Sequence, residues 1–177
     1  MRKEVTMKQF GFSFDISRCS GCMACVVACM DQNNLPGNGV AYRHVTQLEK
    51  GDYPSVRISW VSLSCQNCTD APCSVVCPRN AILRNPRNDI VDVIEDACIG
   101  CHSCAMVCPF GAPQFTEEGK MSKCDLCIDR VERGMEPACV HTCTTRALGF
   151  GSMKELADKK AQKASIKILD SLLTVCT

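Results

Sequence analysis

The chain has 177 residues, a formal net charge of +1 and an aromatic content of 5%. Near-neutrality excludes nucleic acid or an acidic membrane surface as a bulk electrostatic partner. So few aromatic residues predict a thin conventional core, and no apolar stretch approaches the length of a membrane span.

The length fits one compact unit or two very small, intimately joined ones. Met1 to Phe14 carries charge but no continuous apolar core, so no export signal is expected there. Phe10, Phe12 and Phe14 alternate with Gly11, Ser13 and Asp15, a period of two that predicts a half-buried strand. That strand leads into a first cysteine group, Cys19, Cys22, Cys25 and Cys29. Leu35-Pro36-Gly37-Asn38-Gly39 is a loop by composition. Val56, Ile58 and Trp60 repeat the alternation ahead of a second group, Cys65, Cys68, Cys73 and Cys77, which Pro78 closes. Asn85 to Asp89 is a turn between two strands, the second of which, Ile90 to Ile94, leads into Cys98, Cys101, Cys104 and Cys108, followed by Pro109. The fourth group is Cys124, Cys127, Cys139 and Cys143, with a closing strand predicted over Ala147 to Gly151. Ser152 and Glu155 form a capping box that opens a helix through about Gln162, with Met153, Leu156 and Ala157 as its inner face. From Ala164 to Thr177, alternation around Ile166 and Ile168 reads as a strand or docking segment.

Sixteen of the 17 cysteines thus fall into four groups of four. The first and third are C-x2-C-x2-C-x3-C, the bacterial ferredoxin run that holds [4Fe-4S] clusters; in the other two only the middle gap widens. Three thiolates on a short loop wrap one face of a cubane, and in two-cluster ferredoxins the displaced fourth ligates the neighbouring cluster. Each run therefore implies a partner run, and sixteen ligands imply four clusters. A disulfide framework is disfavoured by the odd total, the chain length and the missing export signal. Zinc would need two C-x2-C pairs per site, not triplets with a displaced fourth member. Inert structural thiols have no reason to be periodic. With so thin a core, cluster binding and folding are expected to be coupled.

The order of the runs, with C-x2-C-x4-C-x3-C-P second and C-x2-C-x11-C-x3-C last, resembles the dimethyl sulfoxide reductase iron-sulfur subunit family, the four-cluster electron-transfer subunits of molybdenum and tungsten oxidoreductases. The resemblance spans Phe10 to Gly151 and is carried by Gly11-Phe12-Ser13-Phe14-Asp15, Cys65-Gln66-Asn67-Cys68, Ala71-Pro72-Cys73, Cys98-Ile99-Gly100-Cys101, Cys124-Asp125-Leu126-Cys127, Gly134 and Pro137-Ala138-Cys139-Val140. It implies an α+β fold of two ferredoxin-like lobes, the second inserted in the first: residues 1–60 plus 113–151 outside, 61–112 inside, and 152–177 as a C-terminal helix and docking tail. By the same resemblance, Cys19, Cys22, Cys25 and Cys143 would hold one cluster, and Cys124, Cys127, Cys139 and Cys29 its neighbour. Cys65, Cys68, Cys73 and Cys108 would hold a third, and Cys98, Cys101, Cys104 and Cys77 the fourth. Nitrate reductase relatives place Trp where Cys101 stands and hold a three-iron cluster, so Cys101 implies four cubanes here. Thr144 replaces the Pro that many relatives carry after the last run, which removes no ligand.

Arg18, Arg79, Lys123 and Arg146 flank the runs, where positive charge would raise a cluster's potential; solvated surface charge is the plainer reading. His102 and His141 read as spacers, Met23, Met106 and Met121 as apolar filler against the clusters, and Cys176 as a free thiol. The chain has no dinucleotide fingerprint, phosphate loop or triad, and full cysteine ligation leaves no open position for substrate. The expected function is non-catalytic electron transfer through four [4Fe-4S] clusters, between a molybdenum- or tungsten-pterin catalytic subunit and a further electron donor or acceptor. The expected location is cytoplasmic, unless a signal-bearing partner co-exports the chain. Two other readings stay open: a free-standing polyferredoxin, and a scaffold or filament-forming redox protein that self-associates.

Overall fold

Small ladders and short helices alternate with the cysteine runs in the computed structural model, which describes residues 9–37 and 41–175. In chain order the elements are β1 (Phe10–Phe14), α1 (Ala24–Gln32), β2 (Arg43–Lys50), β3 (Arg57–Ser64), α2 (Pro72–Val75), β4 (Ile82–Arg84), β5 (Val91–Val93), α3 (Ser103–Val107), β6 (Gln114–Phe115), β7 (Met121–Ser122), α4 (Ile128–Glu132), α5 (Ala138–His141), β8 (Leu148–Ser152) and α6 (Met153–Val175). One-turn 3-10 helices at Ile16–Arg18 and Glu95–Ala97 lead directly into the first and third runs. α1 and α3 then start inside those runs, each capped by a left-handed residue, Met23 at φ 61° and His102 at φ 62°. The shared local path follows from the shared cysteine spacing.

The strands form two-stranded antiparallel ladders, β1 with β8, β2 with β3, β4 with β5 and β6 with β7. β1 pairs with β8 from Phe10↔Ser152 to Phe14↔Leu148, which draws the start of the first run beside the end of the fourth. Phe10 stacks on Phe150 at 5.3 Å between ring centroids and Phe12 meets the same ring at 5.7 Å, so the predicted alternation buries its apolar face. The predicted turn at Asn85 to Asp89 joins β4 to β5, whose register of Ile82↔Val93 lies between runs two and three. Only half of the longest ladder, β2 with β3, is visible in sequence pattern: the alternation at Val56, Ile58 and Trp60 marks β3, whereas β2 has no clean period of two and forms by pairing, Arg43↔Ser64 to Lys50↔Arg57. Helices pair likewise, α1 packing on α5 and α2 on α3.

Three apolar clusters result, and cysteine is part of each. One gathers Cys25, Cys139, Val140 and Leu148, with Phe12 and Phe14 at its edge. A second gathers Ala71, Ile82, Val91, Cys104 and Met121. The third joins Cys65 to Cys124 through Ile90, Ala112 and Leu126.

The C-terminal segment departs from its expected form. Where alternation around Ile166 and Ile168 reads as a strand, α6 continues unbroken for 23 residues, about 35 Å at the usual rise. Ala, Lys, Glu, Gln and Leu dominate this stretch, and their helix propensity overrides a two-residue alternation. The capping box is present: Ser152 Oγ accepts from Glu155 N at 3.3 Å and Glu155 Oε2 accepts from Ser152 N at 3.0 Å. Leu156 is half-buried and approaches Gly11 of β1, as does the Met153 sulfur, but Met153 and Ala157 are largely exposed, so the inner face is narrower than the sequence pattern implies. Lys163 pairs with Asp15, whose carboxyl is held down at about 2 chiefly by that bond. Cys176 lies outside the described residues, and no helix among them is long and apolar enough to cross a membrane.

Ser152→Ala removes half of the capping box and should cost α6 about 1 kcal/mol. Limited proteolysis within α6 is expected to run about fivefold faster, the factor that this free energy represents; an unchanged cleavage rate would show that the box does not hold the helix.

Candidate metal centres

The four cysteine loops share one backbone device. The second spacer residue of the first C-x2-C pair in each run sits in the left-handed region: Gly21 at φ 68°, Asn67 at 46°, Gly100 at 66° and Leu126 at 62°. This turns backbone N–H groups toward the sulfurs. Asn67 N donates to Cys65 Sγ at 3.4 Å and Leu126 N to Cys124 Sγ at 3.4 Å. Ala81 N donates to Cys77 Sγ and Met121 N to Cys98 Sγ, both at 3.3 Å. For Leu126 the conformation costs roughly 1–2 kcal/mol, a strain of the kind that persists where surrounding structure imposes it. Glycine is required at the other two positions on contact grounds as well. A Cβ on Gly21 would fall 2.3 Å from Trp60 Nε1, and one on Gly100 would fall 2.6 Å from the Gly119 carbonyl oxygen.

The sulfurs ring cavities instead of converging on points. Cys19, Cys22, Cys25 and Cys143 line one small cavity, closed by Phe14, Val45, Ala147 and Leu148. Cys77, Cys98, Cys101 and Cys104 line another, closed by Ile82, Phe115 and Met121. Each takes three cysteines from one run and the last cysteine of a different run. Among the described residues, no three His, Cys, Asp or Glu side chains stand close enough to chelate a single ion.

Several of the remaining cysteines crowd one another in the interior. Burial pushes the Cys29 thiol up to about 11, with the adjacent Cys139 and Cys127 adding to the rise. Fully buried Cys124 is raised by burial first and then by Cys29 and Cys139. Cys68 and Cys73 are raised by burial, and both have Cys65 and Cys108 as neighbouring thiols. Hydrogen bonds reverse the direction at two positions. At Cys143 burial is outweighed by N–H groups of Leu148, Ala147 and Thr145 and by the Thr145 hydroxyl, and at exposed Cys101 the Ser103 hydroxyl and amide lower the thiol.

This donor chemistry fits a polynuclear iron-sulfur core. Thiolates crowded in an apolar interior are unfavourable unless cationic metal neutralises them. Arg43 Nε, Asn67 Nδ2 and Arg84 Nη2 are buried donors without a protein acceptor, and each belongs to a side chain beside a cysteine run. Sulfur-rich centres offer the acceptors these groups lack.

A family model described as a 4Fe-4S dicluster domain matches residues 56–153. The sequence is 41% identical over 167 residues to the B subunit of anaerobic dimethyl sulfoxide reductase from Escherichia coli strain K12, covering 89% of this chain and 80% of that protein. It is 39% identical over 170 residues to the protein of the same name from Haemophilus influenzae, covering 90% and 82%. Protein NrfC of Escherichia coli strain K12 is 38% identical over 150 residues, covering 83% and 67%. The protein belongs to the 4Fe-4S dicluster family that includes these dimethyl sulfoxide reductase subunits. The chain is thus a ferredoxin-like electron-transfer subunit with [4Fe-4S] clusters as its cofactor.

Cations around the dicluster loops are not distributed as their sequence positions suggest. Arg18, Arg79 and Arg146 are exposed, the plainer of the two readings given to them. Lys123 is buried, its ammonium donating to Asn67 Oδ1 at 3.2 Å and to the Cys124 carbonyl at 3.0 Å, so it ties run two to run four. Arg84, which no sequence motif singles out, donates to the Cys68 carbonyl at 2.7 Å and pairs with Asp89, which steadies the second loop. Arg43, equally unmarked, is 2% exposed and donates to Ser62 Oγ at 3.1 Å and Ser64 Oγ at 2.9 Å. The Ser62-x-Ser64 pair on one face of β3 is the one signal in the sequence that something polar is buried opposite it. His102 stacks on Phe115 at 3.8 Å, in keeping with a spacer. Met121 is buried as filler, whereas Met106 is 85% exposed, because α3 turns that side chain outward from the packed cysteines.

Gly21→Ala should lower iron retention and shift the emission of Trp60, the chain's single tryptophan, because the added methyl displaces the indole and the residue gains left-handed strain of roughly 1–2 kcal/mol. Full iron content with unchanged emission would contradict the contact.

Proposed function

We propose that the chain holds four [4Fe-4S] clusters in two pairs and passes single electrons along them between a molybdenum- or tungsten-pterin catalytic subunit and a second redox protein. The observation that carries this reading is that Cys143 lines the cavity of Cys19, Cys22 and Cys25, while Cys77 lines that of Cys98, Cys101 and Cys104. The proposed ligand sets are these two, together with Cys124, Cys127, Cys139 and Cys29, and Cys65, Cys68, Cys73 and Cys108. The packing of α1 on α5 and of α2 on α3 supports an outer ferredoxin-like lobe interrupted by an inserted one.

When bound, such a cluster takes up and returns one electron without making a bond to substrate. The residues around it hold it, keep water away and set its potential. The packing supports a single linear path. Cys25 and Cys139 share one apolar cluster, Cys65 and Cys124 share another, and Cys73 is an electrostatic neighbour of Cys104. Each proposed centre therefore touches the next through buried protein. At the two ends of that path the surface carries unpaired apolar side chains, Ile16 and Val27 beside the first run and Val75, Ile99 and Met106 beside the second and third. Such rims suit transient contact with a redox partner at each end. The relatives named for dimethyl sulfoxide reductase support a catalytic partner of the pterin class.

Elemental analysis of the native complex, purified without oxygen, tests this. About sixteen irons per chain, four per cubane, with stoichiometric molybdenum or tungsten is the expected result; about eight irons would contradict four clusters, and full iron without either metal would favour a free-standing polyferredoxin. Crossed ligation has its own test. Cys143→Ser should alter the paramagnetic signal of the centre held by the first run, and an unchanged first-run signal would refute the shared set.

A further inference from the structure

Arg43 carries a charge that the fold does not pair. It is 2% exposed, and among the described residues no carboxylate forms an ion pair with it. Its contacts are two serine hydroxyls and the face of Phe12, whose ring centroid lies 4.6 Å from the guanidinium carbon. Nε has no protein acceptor. A buried cation is tolerated only where compensating negative charge lies close. The Phe12 ring beneath the guanidinium packs against two apolar clusters, one holding Cys25 and Cys139 and the other holding Cys124. These cysteines belong to both proposed outer sets, Cys25 to one, Cys139 and Cys124 to the other.

Ser62 extends the reach of this cation. Its Oγ accepts from Arg43 Nη1 at 3.1 Å and stands 3.6 Å from Cys25 Sγ. A ligating thiolate has no proton to give, so toward it the Ser62 hydroxyl donates while one of its two lone pairs accepts from the guanidinium. Cys25 is thus supported both by the charge and by a hydrogen bond that the charge orients.

We infer that Arg43 is the shared positioning residue of the two outer clusters: it supplies their buried counter-charge and holds both potentials above those the same ligand sets would have without it. The inference rests on the ligand sets proposed above. A fixed positive charge favours the reduced, more negative state of each centre, and its effect falls with distance. Among the described residues the hydrogen bonds of Arg43, Ser62 and Ser64 reach no cysteine of the proposed inserted sets, so the clusters there should feel the charge far less.

The test uses the full-length holoprotein, with Arg43→Gln and Arg43→Met compared with the unaltered protein by iron content and by potentiometric titration of the paramagnetic signals. Signals of the outer pair are assigned from Cys143→Ser and Cys127→Ser. With iron retained, both outer centres should shift tenfold or more toward the oxidised form at a given applied potential, a fall of about 59 mV or more for a one-electron couple. The inserted pair should barely move, and Arg43→Lys should restore most of the shift. Unmoved outer potentials at full iron, or an equal shift in all four centres, would overturn the inference. So would loss of outer iron in both neutral variants, which would make Arg43 a clamp on β2 and β3. If the unaltered protein shows no two signals that respond to Cys143→Ser and Cys127→Ser, the ligand sets themselves fail, and this inference falls with them.

Discussion

The constraint on which the rest of the structure depends is the cost of gathering thiolates in an apolar interior. Burial drives Cys25, Cys29, Cys68, Cys73, Cys104 and Cys124 toward the neutral thiol, and neighbouring cysteines add to the rise. Left to themselves, groups of this kind would separate. Cationic iron inverts the balance, because it needs the charged form and rewards crowding. The apolar clusters are small and each contains cysteine, so the iron-sulfur cores complete what the side chains leave thin. Elements as short as the four-residue helices α2 and α5 have no independent stability, and the proposed ligation of Cys73 and Cys139 would fasten them.

That constraint also explains the architecture. On the proposed crossed ligation, a run that donates its last cysteine to another run's site cannot fold alone. The first run then needs the fourth, and the ladder of β1 with β8 closes at the same place as the cavity lined by Cys19 and Cys143. Runs two and three meet across β4 and β5, whose short turn brings Cys77 toward Cys98. Polar fittings then adjust each site: inward amides at the left-handed spacer positions, serine and threonine hydroxyls at Cys25, Cys101 and Cys143, and buried cations at Arg43 and Lys123.

Much of this is legible in the sequence because cysteine spacing is a covalent code. The distance between ligands on a loop is set by the size of the core they wrap, so it survives in sequence without any knowledge of packing. The strand with Phe10, Phe12 and Phe14 is legible for a related reason, since half-buried strands must alternate; Val56, Ile58 and Trp60 mark β3 as well, although Val56 precedes it and Ile58 is exposed. β2 is not, because its partner and not its own pattern makes it a strand. Arg43 is hidden on that unmarked strand; from sequence alone an arginine defaults to the surface, and only the pairing with β3 reveals that it points inward. The C-terminal segment misleads for the opposite reason: two isoleucines imitate a strand where a helix already begun over a stretch rich in Lys and Ala runs on.

Withdrawing iron puts the dependence of fold on metal to its sharpest test. Chelation under reducing, oxygen-free conditions, followed by far-ultraviolet circular dichroism and amide hydrogen exchange, reads it out. Protection is expected to collapse in α1, α5 and the β1 and β8 ladder together with the β4 and β5 ladder, and to return on reconstitution with iron and sulfide. An iron-free chain that kept native dichroism and native protection in those elements would show that the polypeptide holds itself together without its metal.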